Sequence, residues 1–183
     1  MTQQRNKVRI IGGEYRRRLL EVPAVEGLRP TPDRVRETLF NWLGQDLYGL
    51  RCLDLFAGSG ALGFEAASRG AREVVLVEKV RPVADTLRRN AQLLGAAQLQ
   101  VQNQDALAYL RAGHGAFDVI FVDPPYSSTL LDDVLPQLAA ALSAQGRLYV
   151  ETARPREFAG WEVLRSIRAG QVHGYLLARE ADI

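Results

Sequence analysis

The chain has 183 residues, of which 47% are hydrophobic and 24% charged. That is the size of one ordinary domain, and the apolar content excludes a disordered chain. No run of about 18 apolar residues could cross a membrane, and the polar start Met1–Lys7 lacks the apolar stretch of a secretory signal. A single cysteine, Cys52, and two histidines, His114 and His173, give no internal disulfide and argue against a structural zinc site. The expectation is a cytoplasmic, monomeric domain without a metal.

The formal net charge of +2 is unevenly spread. The first 20 residues hold Arg5, Lys7, Arg9, Arg16, Arg17 and Arg18 against Glu14 alone, a local charge of +5, and the remainder carries 17 basic and 20 acidic groups. A basic arm on a mildly acidic body suggests a polyanion met at one end, with a solvated charged tail as the other reading.

In chain order, residues 7–22 read as two short strands around Gly12-Gly13. A loop with Pro23, Gly27 and Pro30 follows. Thr31-Pro32 then opens a helix, with Thr31 as N-cap and Pro32 at its first position. Val35, Leu39, Trp42 and Leu43 form its apolar face, which leaves Arg34, Arg36 and Glu37 outside the stripe. From residue 51 strands and helices alternate: strand 51–56, helix 60–69, strand 73–77, helix 81–94, strand 99–101, a short helix 106–110, strand 117–122, helix 130–142 and strand 146–150. Residues 161–167 and 171–178, around Ala169-Gly170, read as a closing antiparallel hairpin. The expected fold is α/β: a Rossmann-like, doubly wound, seven-stranded and mostly parallel sheet with an antiparallel C-terminal hairpin and a short N-terminal β-hairpin arm. The expected division is arm and loop over 1–30 and the main domain over 31–183.

The first of these βα turns, Asp54-Leu-Phe56-Ala-Gly58-Ser59-Gly60-Ala-Leu-Gly63, satisfies G-x-G-x-x-G, with Glu78 about 20 residues on. Any tight βα turn favours glycine, so a purely structural reading is open. Asp54 separates the ligands. A carboxylate beside the turn would repel a pyrophosphate but favours a ligand carrying an ammonium and a sulfonium, such as S-adenosylmethionine. Glu78 could accept ribose hydroxyls, and Asp105, just past the next strand, an exocyclic adenine amine. Phe56, Ser59, Lys79 and Ala106 complete the candidate cofactor set with Gly58 and Gly60.

A second signal follows the strand 117–122: Asp123-Pro124-Pro125-Tyr126. Two prolines cannot continue a central strand, and Pro124 holds Asp123 extended. The result is a preset loop at the carboxyl edge of the sheet. It suits an exocyclic amine on a nucleobase. The Asp123 carboxylate and the Pro124 carbonyl can each accept one N–H, while Tyr126 offers a face for stacking.

Together, Asp54–Gly60 and Asp123–Tyr126 resemble a class I S-adenosylmethionine-dependent methyltransferase acting on amino groups. The segments Arg9–Gly13, Gly27–Thr31, Asp33–Leu43, Asp54–Gly63 and Arg168–Val172 narrow this. With them the chain resembles the bacterial 16S ribosomal RNA guanine-N2 methyltransferase family over nearly its whole length. The resemblance implies guanine N2 of 16S rRNA as acceptor, presented on a 30S subunit or an assembly intermediate. It implies a catalytic loop at Asp123, Pro124, Pro125 and Tyr126, and an RNA-facing set at Arg5, Lys7, Arg9, Arg16, Arg17, Arg18, Arg29 and Arg34. Three other readings compete. A DNA adenine-N6 methyltransferase shares the loop but usually adds a target-recognition region. A nucleotide-linked oxidoreductase shares the glycine turn, but Asp54 and the double proline oppose it. A non-catalytic RNA-binding module has no need of an intact Asp123.

Overall fold

Alternating strand and helix signals in the sequence become a sheet wound on both faces. The structure, a computed structural model, describes residues 7–25, 27–28, 30–126 and 128–181. Its elements are β1 (Lys7–Arg9), β2 (Leu19–Glu21), α1 (Asp33–Trp42), β3 (Arg51–Asp54), α2 (Ala61–Ser68), β4 (Glu73–Val77), α3 (Arg81–Leu94) and β5 (Leu99–Gln102). Then come α4 (Ala106–Ala112), β6 (Phe117–Val122), α5 (Leu130–Ala141), β7 (Leu142–Thr152), β8 (Trp161–Ala169) and β9 (Val172–Arg179). The seven-stranded sheet has the order β5-β4-β3-β6-β7-β9-β8. Its first five strands are parallel, and β9 and β8 close it antiparallel, as the sequence predicts. β1 and β2 form a separate antiparallel pair.

Period-two alternation along the strands sorts the core. Cys52, Val74, Leu76, Val119, Phe121 and Tyr149 face α1, α2 and α3. Leu53, Val75, Val77, Ile120, Val122 and Leu148 face α4 and α5 on the other side. The hairpin's Val8, Ile10, Tyr15 and Leu20 are buried in the first of these layers, so the arm shares its core with α1 and α2.

Departures from the sequence expectation include two element starts and one side chain. α1 begins one residue later, with Pro32 rather than Thr31 at the cap and no side-chain cap bond. Thr31 is buried, and its hydroxyl helps to hold the Glu151 carboxyl down. β7 starts at Leu142, before the expected Gly146, because its early backbone already pairs with Phe117 across an irregular register. Arg36, read as lying outside the buried stripe, is only 1% exposed. It donates from Nε to the Thr31 carbonyl at 3.2 Å and from Nη1 to the Arg9 carbonyl at 3.0 Å, and pairs with Asp33 and Glu65. A long side chain that reaches this many acceptors is buried despite its charge.

Candidate active site

Between β3 and β6 the winding of the sheet reverses, and such a switch point opens a crevice at the carboxyl ends of the strands. The glycine turn leaves β3 on one side of it, and Asp123–Tyr126 leaves β6 on the other. Leu55 N donates to Phe121 O at 3.1 Å and Ala57 N to Val77 O at 2.9 Å, so the turn is tied to both neighbouring strands.

The three glycines have distinct tasks. Gly58 and Gly60 hold positive φ, 54° and 79°, where side-chain-bearing residues are strained. A β-carbon on Gly60 would also lie 2.6 Å from Phe64 and 2.7 Å from Leu87. Gly63 has no such φ; a β-carbon there would overlap Leu76, so it sets the close approach of α2 to the sheet.

Asp54 lies under the turn, 2% exposed, and its Oδ2 accepts from Gly63 N at 3.0 Å. Burial pushes its carboxyl up to about 8, and the charges of Glu78 and Glu151 add to this. Glu78 accepts from Gly58 N through Oε2 (2.9 Å) and from Val80 N through Oε1 (3.0 Å), so it buttresses the turn. Asp105 caps α4, its Oδ2 accepting from Ala108 N at 3.1 Å, and Ala106 behind it is buried. Ser59 is buried and accepts from Ala61 N, Phe56 is half-buried, and Lys79 is exposed. The cofactor candidates thus line the ends of β3, β4 and β5.

In the second loop, Asp123 is half-buried, Pro124 buried, and Pro125 and Tyr126 exposed. Ser128 fastens the loop: its N–H and its hydroxyl both donate to the Pro125 carbonyl, at 3.1 and 2.7 Å. Tyr126 is 51% exposed, a wide face for an aromatic side chain, and its phenol is pushed up to about 12, first by burial and then by Asp123 and Glu151. Asp123 is raised well above the usual carboxylate range by burial and by Glu151 beside it.

Glu151, near the end of β7, is the residue that reading the sequence missed. It is 3% exposed, and its Oε1 accepts from Tyr149 Oη at 2.8 Å. An acid closing the apolar run Leu148-Tyr-Val is the same signal that singles out Asp54 and Glu78. Among the described residues no ion pair engages Asp54, Glu78, Asp123 or Glu151. A crevice of carboxyls offset only by hydrogen bonds fits a cationic ligand.

Lys7, Arg9, Arg16, Arg17, Arg18 and Arg34 are all exposed, whereas Arg5 and Arg29 lie outside the described residues. Arg18 Nη2 donates to the Leu93 carbonyl at 3.2 Å. Ser68 and Glu65 on α2 seat the arm. Glu65 is fully buried and accepts from Ile11 N, Gly12 N, Arg36 and Arg69; the Ser68 hydroxyl donates to Gly12 O and accepts from Tyr15 N. Among the described residues, no helix is long and apolar enough to cross a membrane and no group of three His, Cys, Asp or Glu could hold a metal ion.

The sheet order, the glycine turn and the Asp-Pro-Pro-Tyr loop define a methyltransferase fold, whose methyl donor is by implication S-adenosylmethionine. Comparison with known proteins gives the branch. The family profile described as "Conserved hypothetical protein 95" matches residues 8–178. Ribosomal RNA small subunit methyltransferase D of Escherichia coli K12 is 43% identical over 182 residues, covering 96% of this chain and 92% of that one. The protein of the same name from Haemophilus influenzae is 41% identical, covering 92% of each. The solved structure of yhhF from Escherichia coli, 44% identical, covers 97% of this chain and 100% of its own with a TM-score of 0.85. The chain belongs to this family, that of the small-subunit ribosomal RNA methyltransferases D.

Proposed function

We propose that the chain transfers a methyl group from S-adenosylmethionine to the exocyclic N2 of a guanine in 16S rRNA, on the 30S subunit or an assembly intermediate, in the cytoplasm and as a monomer. The observation that carries the reading is the placement of the glycine turn and the Asp123–Tyr126 loop on either side of one switch point. The relatives' names supply the ribosomal RNA. The choice of guanine N2 rests on the family resemblance.

The cofactor, when bound, supplies a methyl group already activated on a sulfonium. Asp54, Phe56, Gly58, Ser59 and Gly60 hold its methionine end. Glu78 with Lys79 takes the ribose through the carboxylate lone pairs that the turn leaves over, and Asp105 with Ala106 takes the adenine. The carboxyl of Asp123 and the carbonyl of Pro124 accept the two N–H groups of the target amine. This fixes the nitrogen and draws its lone pair out of conjugation with the ring. Pro124 and Pro125 keep those acceptors from moving, and Tyr126 stacks on the base. Lys7, Arg9, Arg16, Arg17, Arg18 and Arg34, with Arg5 and Arg29, meet the phosphates.

The test is transfer of labelled methyl to 30S subunits and 16S rRNA from a strain lacking the enzyme, with the product located by mass spectrometry. Label on N2 of a guanine, lost in Asp123→Ala while cofactor binding by calorimetry persists, is the expected result. Label on duplex DNA and none on rRNA refutes it.

A further inference from the structure

Register places two carboxyls of the site face to face. β6 and β7 pair Phe121 with Tyr149 and Val122 with Val150, and Asp123 and Glu151 are the residues that follow this last pair on the two segments. Glu151 lies on the same face of β7 as Tyr149, from whose hydroxyl it accepts. The two carboxyls act directly on each other, and two carboxyls in such contact require a proton on one of them.

The surroundings are built to hold that arrangement. Glu151 accepts from Tyr149 Oη at 2.8 Å, and the buried Thr31 hydroxyl also favours its charged form. Tyr149 reaches it because Gly174, across on β9, carries no side chain; a β-carbon there would lie 2.6 Å from Tyr149 Oη. Donors therefore crowd Glu151, whereas Asp123 faces the crevice.

We propose that Asp123 and Glu151 act as a pair sharing one proton, in which Glu151 is the positioning residue that takes this proton over when Asp123 receives one from the methylated amine. The inference rests on the methyl-transfer reading above. In the step, the S–CH3 bond breaks with its electron pair going to sulfur, and the N–CH3 bond forms from the nitrogen lone pair. The resulting ammonium gives one proton to Asp123 as the shared proton moves wholly to Glu151. The pair passes from one negative charge to none, and the proton later leaves to solvent.

The charges around the pair agree. Asp54 faces it from β3, with Glu78 behind at the end of β4; Tyr126 faces it from its own loop and Tyr149 from β7. Opposite Glu151 on β9 stands the uncharged Gly174, and from the arm side Thr31 intervenes, its carbonyl held by Arg36. Burial and the Glu151 charge push Asp123 up, whereas the hydrogen bonds from Asp123, Tyr149 and Thr31 hold Glu151 back from the full effect of its burial.

The test is a carbon-13 NMR titration of carboxyl-labelled full-length protein without substrate, joined to steady-state methyl transfer. In the wild type the two carboxyls should titrate together in two separated steps. In Glu151→Gln, Asp123 should titrate in one step at lower pH. In the same variant kcat should fall about 100-fold, the range of general acid–base effects, with KM and cofactor affinity changed less than about threefold. The inflection of the pH–rate profile at the upper step should also vanish. Tyr149→Phe, which keeps the charge but removes a donor to Glu151, should move the upper step to higher pH. Independent titration of the two groups near 4 overturns the proposal. So does a loss of kcat in Glu151→Gln that is matched by lost cofactor affinity and an unchanged profile. Absence of any methyl transfer with the paired titration intact refutes the functional reading and leaves the pair standing.

Discussion

Replacing Glu65 by alanine should unseat the N-terminal arm. The carboxylate is fully buried and serves four donors: Ile11 N at 3.0 Å, Gly12 N at 2.9 Å, Arg69 Nε at 2.9 Å and Arg36 Nη1 at 3.4 Å. Truncation leaves two main-chain amides without an acceptor and a guanidinium, that of Arg36, buried beside a void. Breaking a buried ion pair by removing one partner costs about 3–5 kcal/mol. The stranded amides fall within that range rather than on top of it, because opening the arm to water relieves them. For a chain of this length the loss corresponds to a fall in Tm of roughly 6–20 °C. Urea unfolding followed by circular dichroism measures the total, and hydrogen exchange locates it. The amides of Ile11, Gly12, Glu14 and Tyr15 should lose protection before those of β3 and β6. A loss below about 1 kcal/mol, the value of an exposed pair, with Ile11 and Gly12 still protected, would refute the claim that this carboxylate seats the arm.

Two further outcomes follow from the turn. The folded chain keeps the Asp54 proton to about pH 8, whereas an unfolded chain releases it near 4. The stability this group contributes is complete below about pH 4 and is lost as pH rises toward 8, so Asp54→Asn should flatten the decline between pH 5 and 8 in urea unfolding; an unchanged slope contradicts the assignment. Gly63→Ala forces a methyl into Leu76 and sets it 3.2 Å from Asp54 Oδ2, and overpacking of this kind costs about 1–3 kcal/mol. A thermal midpoint equal to that of the wild type would show that α2 can move off the sheet freely.

Much of this architecture is written locally in the chain. Pro82 near its start and the left-handed Gly95 at its end mark α3 at its observed bounds, and the nearly continuous apolar run 117–122 is β6. The glycine turn and the double proline are likewise legible, since each answers to the backbone around it. What escapes is long-range. Thr31 has the chemistry of an N-cap, but the cap falls on Pro32, and the Thr31 hydroxyl acts instead on the charge of Glu151, 120 positions away. Arg36 sits off an apolar stripe and is nonetheless buried, because its acceptors come from α2, from the arm and from the loop before α1. Glu151 itself carries the strand-end signal, yet its weight in the site depends on the register of β6 against β7, which only the paired sheet fixes.

The seat of the arm reads main chain rather than side chains. Ile11 N, Gly12 N, Glu14 N and Tyr15 N all bond to Glu65 or Ser68, and Gly12 supplies a carbonyl in return. Gly13 is barred from carrying a side chain there, since a β-carbon would strike the Ser68 carbonyl, and one on Gly12 would lie 2.9 Å from the Arg69 guanidinium. Attachment is therefore separable from the sequence of the exposed tip. Substitutions at Arg16 and Arg18 leave in place the bonds by which the same two residues of α2 grip the backbone beneath.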